Sequence, residues 1–310
     1  MTALSTLAAW LPSPFLRLSA GLHLGALAAV AAAPRLWPAA LALLAADHAL
    51  AGAAGLAPRS RLLGPNLRRL PTAAAARGEV GLTFDDGPDP EVTPAVLERL
   101  DRRGARASFF AVGRRAAAHP ELAAEIARRG HRLENHTWSH PKRFALLGPR
   151  AGLAEIDRAQ AALTEIAGAP PAWFRAPAGF RSPWLAPPLA RRGLALASWT
   201  RRGFDTVTAG PARVAARLTR GLAAGDVLVL HDGGSARRAG GRPVVLDALE
   251  RVLDAIEGAG LAAVALPVPE GAPVPAPERA GGAADPPRRS RPAAEAPPAV
   301  APGGASEVTP

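Results

Sequence analysis

The sequence contains no cysteine, and this absence excludes disulfide bonds and thiolate zinc sites. Any bound metal must therefore be held by histidine, aspartate or glutamate side chains. Lysine is almost absent as well: Lys142 is the only one, and the other basic residues are arginines. A net charge of +11 is common in nucleic-acid-binding proteins, but these arginines are scattered and form no basic stripe interleaved with aromatic residues. We therefore predict that the protein does not bind nucleic acid.

Residues 1–76 are predicted to form an apolar, helical, membrane-associated segment followed by a linker. Two apolar runs, residues 18–33 and 36–57, are separated by Pro34-Arg35. A membrane-spanning helix needs about 20 residues, so a hairpin of two short membrane helices is the favoured interpretation. A secretory signal is the second, because a basic residue precedes a short apolar core that ends in three alanines. A soluble helical hairpin packed on the main domain is the third.

Ionisable residues interrupt the second apolar run near its middle, at Asp47 and His48. An aspartate is costly in lipid, so Asp47 is expected to face a protein neighbour or a polar cavity. His48 is interpreted as a capping or packing residue. Together with His23, His119 and His131 it is expected to be structural or exposed, because no motif gives these histidines a companion ligand.

The direction of membrane insertion is left open by the sequence. Arginines follow the second apolar run and only Arg35 lies between the two runs, so the positive-inside rule places the main domain of a hairpin in the cytoplasm. A signal peptide or a single anchor places the same domain outside. The predicted location is the cell membrane, a bacterial inner membrane, with the side of the catalytic domain left open.

Residues 77–268 alternate short apolar runs with segments of helical periodicity. About seven or eight strands alternate with helices, which predicts parallel strands with helical crossovers. A single domain of this size favours a barrel over an open sheet, and parallel barrels carry function at the carboxyl ends of their strands. Residues 269–310 are predicted to be a disordered tail, because a proline-rich stretch of this kind has too few apolar side chains to fold.

Two adjacent carboxylates, Asp85 and Asp86, end the first predicted strand of this domain and precede Gly87-Pro88. Neighbouring side chains of a strand point to opposite faces, so both can reach one pocket only if the backbone turns here. Two close carboxylates repel each other unless a cation lies between them. The stretch therefore indicates a metal site with one aspartate as ligand and the other free for proton transfer. A plain surface turn is the alternative.

Three further positions at predicted strand ends carry reactive side chains. His136 and His140 are four residues apart and, with Asp86, make a set of two histidines and one carboxylate that leaves room for water and substrate. Arg175 beside Asp85 would hold that carboxylate ionised. His231 ends an apolar strand and is a candidate general acid or base. Taken singly, each is also explained as a surface or strand-capping residue.

Together these motifs resemble the polysaccharide deacetylase family (NodB-homology domain, carbohydrate esterase family four) over residues 78 to about 266. The resemblance implies an α/β fold, a distorted and incomplete (β/α) barrel, here preceded by the apolar helical segment. It implies that Asp85 is the base and Asp86 a metal ligand. The remaining implied roles concern the other matched positions: His136 and His140 bind the metal, Arg175 orients the base, Pro177 completes the Arg-x-Pro motif, and Asp205 pairs with the acid His231.

The implied activity is that of a metal-dependent hydrolase, with zinc as the expected ion, removing an N-acyl group, acetyl in the simplest case, from an amino sugar of a polysaccharide or glycolipid. A deacylase or deformylase of a lipid-linked sugar, a non-catalytic carbohydrate-binding barrel and a metal-independent amide hydrolase are the alternatives. Ala178 and Thr206 stand where the family often has aromatic residues that line the sugar groove. Trp138, Phe180 and Trp184 are predicted to supply the stacking surface instead. Pro177, Trp138 and Trp184 are the predicted substrate-binding residues.

Overall fold

The computed structural model describes residues 12–269, so the predicted tail lies outside the described residues from position 270 onward. The strands of this part are β1 (Glu79–Asp85), β2 (Ser108–Ala111), β3 (Arg132–Asn135), β4 (Trp173–Phe174), β5 (Ala195–Leu196), β6 (Arg201–Arg202), β7 (Val227–His231) and β8 (Ala262–Val264). The helices are α1 (Pro14–Ala32), α2 (Trp37–Leu56), α3 (Thr72–Ala76), α4 (Thr93–Arg102), α5 (Gly113–Ala118), α6 (Pro120–Arg128), α7 (Pro149–Ala167), α8 (Ala186–Arg191), α9 (Pro211–Thr219) and α10 (Val244–Gly258).

All strand pairs of the sheet are parallel, in the order β5-β4-β3-β2-β1-β7-β6, with β8 alongside the first half of β1. The sheet is curled, because Phe110 of β2, Trp173 of β4 and Val229 of β7 pack together on its inner face. The edge strands β5 and β6 do not pair with each other, which leaves the barrel incomplete. The predicted fold class, a distorted (β/α) barrel preceded by an apolar helical segment, is confirmed.

The open side of the barrel is partly covered by the chain that precedes the first strand. Leu67 forms a parallel bridge with Ala197, just after β5, and Arg69 forms an antiparallel bridge with Asp226, just before β7. Arg69 also forms an ion pair with the buried carboxylate of Asp226 at 2.6 Å. The boundary at residue 76 stays a prediction, and the segment before it contacts the sheet directly.

The central strand β1 separates two environments by its side-chain alternation. Val80, Leu82 and Phe84 are fully buried and belong to the core that packs against the outer helices, including α4 and α10. Thr83 and Asp85 point to the opposite, inner face. The sequence of β1 therefore delivers one carboxylate to the inside of the barrel at the carboxyl end of the sheet.

Helices α1 and α2 form an antiparallel pair with a different character. Helix α1 and the span Pro34–Leu56, which contains α2, are each long and apolar enough to cross a membrane, with a mean hydropathy of 1.5. No residue of α1 is buried, and in α2 only Ala54 and Gly55 are buried. The contact with the barrel is made at the end of α2, where the amide of Arg181 donates a hydrogen bond to the carbonyl of Gly55. The hairpin is thus not packed along the domain, unlike the third interpretation of its sequence.

Candidate metal and catalytic centre

Asp85 is held at the end of β1 by a buried arginine. Nη1 of Arg175, which follows β4, lies 2.5 Å from Oδ1 of Asp85 and also donates to the hydroxyl of Thr83 at 2.9 Å. Nη2 of Arg175 donates to the carbonyl of Ser198. The guanidinium is fully buried and lies 3.9 Å from the centre of the Phe110 ring. Arg175 therefore fixes the position of the Asp85 carboxyl group, and its role in keeping that group ionised stays a prediction.

Asp86 turns away from the strand direction and faces two histidines. Its φ of 73° lies in the left-handed region, and this breaks the strand alternation that would separate its side chain from that of Asp85. The loop after β3 brings His136 and His140 to it. Oδ1 of Asp86 lies 3.3 Å from Nε2 of His136 and 3.1 Å from Nε2 of His140.

These three side chains fit a divalent metal ion. Nδ1 of His136 lies 2.7 Å from the carbonyl oxygen of Arg175, which can only accept, so Nδ1 carries the hydrogen and Nε2 presents a lone pair. Oδ1 of Asp86 is buried and has no hydrogen-bond partner among residues 12–269. The three ligand atoms lie within 4.8 Å of one another. Nitrogen and carboxylate oxygen donors of this kind are those that zinc prefers in a cysteine-free protein.

The electrostatics of the cluster favour a cation there as well. Burial opposes ionisation of Asp86, but contact with His136 and the nearby His140 hold the pKa of its carboxyl well below its ordinary value. Burial, and then the neighbouring His136, lower the pKa of His140. At neutral pH the centre therefore offers one carboxylate and a neutral His140 imidazole, which is the protonation state that metal binding requires.

A histidine and aspartate pair lies on the adjacent strand. His231 ends β7 directly opposite Asp85 in the register of β1 and β7. Its Nδ1 lies 2.8 Å from Oδ1 of Asp205, and its main-chain amide donates to Oδ2 of the same carboxylate at 2.8 Å. Burial alone would lower the pKa of His231, but the hydrogen bond and charge of Asp205 outweigh it and raise the pKa above its ordinary value.

Asp232, to which no sequence motif assigns a role, is buried beside this centre. Its Oδ2 accepts a hydrogen bond from the hydroxyl of Thr93 at 2.7 Å, whereas Oδ1 has no partner in the described part of the chain. Burial raises the pKa of Asp232 to about 7. A Cβ atom at Gly87 would lie only 2.0 Å from its Oδ2, so glycine is required for the turn to pack against it. The close packing of Asp232 against Gly87 therefore fixes the position of the Asp-Asp-Gly-Pro turn.

The residues predicted to contact the sugar, Pro177, Trp138 and Trp184, each have a different structural neighbour. Pro177 begins the short 3₁₀ turn Pro177–Gly179 next to Arg175. The guanidinium of Arg158 lies 3.8 Å from the centre of the Trp138 ring. Trp184 packs so closely against α7 that a Cβ atom at Gly152 would approach it to 2.5 Å. Their contact with substrate stays a prediction.

An exposed aromatic residue that the sequence analysis did not single out precedes Asp205. Phe204 is 45 % exposed and has a φ of 58°. Arg202 and Arg217 lie 5.1 and 5.4 Å from the centre of its ring. The only sequence feature that points to Phe204 is its position next to Asp205, the aspartate that contacts His231.

A buried aspartate beside a cluster of two histidines and one carboxylate, with a hydrogen-bonded histidine and aspartate on and beside the next strand, is an arrangement found in enzymes that hydrolyse with the help of a metal ion. Residues 73–194 match the family model described as polysaccharide deacetylase. A chitooligosaccharide deacetylase of Azorhizobium caulinodans is 34 % identical over 201 residues, which are 62 % of this chain and 94 % of that relative. The chain belongs to the polysaccharide deacetylase family, whose enzymes are hydrolases of carbon–nitrogen bonds.

Solved structures agree with this membership. The peptidoglycan N-acetylglucosamine deacetylase Bc1960 is similar with a TM-score of 0.58 and 27 % identity, covering 65 % of this chain and 91 % of that one. A family 4 carbohydrate esterase from Streptomyces lividans, solved in complex with acetate, has a TM-score of 0.54 and 32 % identity, covering 60 % and 91 %. The similarity extends over most of each solved chain, so the barrel is the shared part.

Proposed function

We propose that the protein is a metal-dependent N-deacetylase that acts on an amino-sugar polymer. The observation that carries this proposal is the meeting of Asp86, His136 and His140 within 4.8 Å at the strand ends that also present Asp85 and His231. Relatives named for chitooligosaccharide and for peptidoglycan support the substrate class. The products are acetate and a free amino sugar.

The residues of the chain divide the proton transfers between them. Asp85, which Nη1 of Arg175 contacts at 2.5 Å, accepts a proton from the attacking water. His231, whose pKa is raised by Asp205, donates a proton to the departing amine, which would otherwise be a poor leaving group. A divalent ion held by Asp86, His136 and His140, with zinc as the expected ion, supplies Lewis acidity and lowers the pKa of bound water.

The N-terminal hairpin is proposed to attach the enzyme to a membrane. Large apolar side chains along α1 and α2, such as Leu18, Leu24 and Leu41, are more than half exposed, and a free aqueous surface of this kind is unfavourable. The two helices match a membrane anchor in length and hydropathy. Residues 77–268 then form the catalytic domain, held at the membrane surface by the end of α2.

A lipid-linked amino sugar is a second candidate substrate, favoured by a cationic cavity near the end of α2. The cavity has a volume of about 540 Å³ and includes Arg59, Arg61, Arg68 and Trp199 in its lining. These three arginines form no ion pair with any residue in the range 12–269. Guanidinium groups bind phosphate strongly, and a lipid-linked sugar carries phosphate at the membrane surface.

The test is release of free acid by the purified full-length protein from three substrates: a chitooligosaccharide, isolated peptidoglycan and a lipid-phosphate-linked N-acyl amino sugar. Protein stripped with a chelator should be inactive, because the attacking water and the substrate carbonyl then lack their activating ion. Added zinc should restore the activity. His231→Ala is the catalytic control. Rates that favour the lipid-linked substrate and fall in Arg61→Ala support the second candidate. Metal-loaded protein that releases no acid from any of the three contradicts the proposal.

A further inference from the structure

The helical hairpin contains a second cluster of metal-ligand side chains. Ser19 and His23 of α1 meet Asp47 and His48 of α2 near the middle of both helices. Nε2 of His23 lies 3.1 Å from Nε2 of His48. The hydroxyl of Ser19 donates to Oδ2 of Asp47 at 2.7 Å. One ligand atom from each histidine and from Asp47 lies within 4.8 Å of the others.

The protons of this cluster leave His23 with a free lone pair. Nδ1 of His23 lies 2.8 Å from the carbonyl oxygen of Ser19, and a carbonyl can only accept, so this nitrogen carries the hydrogen of the neutral ring. Its Nε2 therefore presents a lone pair towards Nε2 of His48, in the cluster that also contains the carboxyl group of Asp47. With this lone pair as acceptor, the 3.1 Å contact is a hydrogen bond donated by Nε2 of His48. The other tautomer of His48 presents a second lone pair instead, and a cation held by both Nε2 atoms and a carboxylate oxygen of Asp47 would stabilise that tautomer.

The two clusters share the hydrogen bond of one histidine and the spacing of the two imidazole rings, whereas the contacts of Asp86 with both histidines at 3.3 and 3.1 Å have no counterpart at Asp47, whose ligand atom lies within 4.8 Å of theirs. In both clusters a histidine donates its Nδ1 hydrogen to a main-chain carbonyl, at 2.7 Å for His136 and 2.8 Å for His23. The two rings are 4.9 Å apart and inclined by 48° in the first cluster, and 5.2 Å apart and inclined by 41° in the second. Ligand histidines usually have such a hydrogen bond, and ligand carboxylates are usually hydrogen-bonded in turn, as Asp47 is to Ser19.

The surroundings make an unpaired carboxylate unfavourable at this place. Asp47 and the adjacent His48 lie on a helix whose other residues are apolar, and polar groups in such a helix are expensive unless they are paired. Ser19 is the only hydrogen-bond partner of the Asp47 carboxyl group among residues 12–269. A bound divalent cation would give this carboxyl group a second partner and would tie α1 to α2.

We propose that His23, Asp47 and His48 bind a second divalent transition-metal ion that clamps the helical hairpin. Two imidazole nitrogens and one carboxylate oxygen are a donor set that suits Zn²⁺, with water as the fourth ligand. The site is distinct from the catalytic centre, and the proposal rests on the contacts between α1 and α2 and not on the deacetylase activity.

The test is the zinc content of the full-length protein purified in detergent and dialysed against a limited excess of Zn²⁺. We expect about two ions per chain, because each cluster supplies three ligands. His23→Ala/His48→Ala should hold about one, and His136→Ala/His140→Ala should also hold about one. His119→Ala, at an exposed histidine between α5 and α6, is the matched control and should keep both.

Substitution with Co²⁺ shows which ion is lost and whether each variant is folded. The wild type should show visible absorption from both sites, and His23→Ala/His48→Ala should lose one component while retaining that of the catalytic centre and the release of acid. Retention of the catalytic component reports a folded barrel. One ion per chain in the wild type, lost entirely in His136→Ala/His140→Ala and unchanged in His23→Ala/His48→Ala, overturns the proposal.

Discussion

At the scale of single residues, the proposed division of proton transfer depends on the environment of His231. Asp205 raises its pKa, so the imidazole is protonated below that value and loses its proton as the pH rises through it. A general acid must be protonated to act. The rate of deacetylation is therefore expected to fall on the alkaline side as His231 loses its proton.

Asp205→Asn tests this assignment through the pH profile. Removal of the negative charge lowers the pKa of His231, so the alkaline limb of kcat/KM should move to lower pH relative to the wild type. Asp157→Asn, on the outer helix α7, serves as a control because its half-exposed side chain is bonded to Arg192 and has no contact with His231 or Asp205. An unchanged alkaline limb in Asp205→Asn would mean that His231 is not the acid.

Residue types at strand ends were informative in the sequence because β-strand side chains alternate and because parallel strands share one carboxyl edge. This is why the meeting of Asp86 with His136 and His140 could be expected before the structure was known. Asp232 could not, because its role depends on how closely the Gly87 turn packs against it. The contact of His23 with His48 was missed for a similar reason, since it depends on the rotation and offset of two helices.

At the scale of secondary-structure elements, the junction of α2 with the barrel depends on a glycine. A Cβ atom at Gly55 would lie 2.3 Å from the carbonyl oxygen of Arg181, whereas one at Gly52 would meet nothing within 4 Å. Both glycines lie inside the same helix, where alanine has the higher helix propensity, by about 1 kcal/mol. Only the first is in contact with the catalytic domain.

Gly55→Ala is therefore expected to destabilise the protein by about 1–3 kcal/mol through overpacking, while Gly52→Ala is neutral or stabilising. Thermal unfolding of the full-length protein in detergent measures the difference, and limited proteolysis near residues 57–62 reports the junction itself. Equal unfolding midpoints and equal cleavage in the two variants would show that the contact between Gly55 and Arg181 does not form.

The strands and most helices followed from the apolar runs, because buried parallel strands are apolar on both faces and the outer helices are amphipathic. The short strands β5 and β6 were harder: the apolar run at residues 194–199 predicts one strand, but only Ala195–Leu196 pairs within the sheet. Beyond this pair the chain meets Leu67 instead of another named strand. Because Leu67 is so distant in sequence from Ala197, their pairing produces no local sequence pattern from which it could be predicted.

At the scale of the whole molecule, the hairpin and the catalytic centre are joined by one short stretch. Arg175 holds Asp85, Gly179 packs against Pro58, and Arg181 bonds to Gly55 at the end of α2. Residues 175–181 therefore contact both the carboxyl edge of the sheet, at Asp85, and the end of the proposed membrane anchor, at Gly55. This arrangement suits a substrate presented at or near a membrane.

Membrane attachment predicts that the full-length protein sediments with membranes and resists extraction at alkaline pH, because α1 and α2 bury their exposed leucines in lipid. Fractionation of cells followed by intact-mass measurement is the test. Full-length, unprocessed protein in the soluble fraction would contradict insertion. A chain shortened after the alanines at 31–33 would instead identify the first helix as a secretory signal.

The central claim is that two neighbouring aspartates do different work, one as base and one as metal ligand, and it is tested most directly by measuring metal content and acetate release on Asp85→Asn and Asp86→Asn in parallel. Asp85→Asn should keep the catalytic ion and lose about 10²–10⁴-fold in turnover, the usual contribution of a general base. Asp86→Asn should lose that ion and the activity together. Near-normal turnover in Asp85→Asn, or metal loss in Asp85→Asn with retention in Asp86→Asn, would contradict the account.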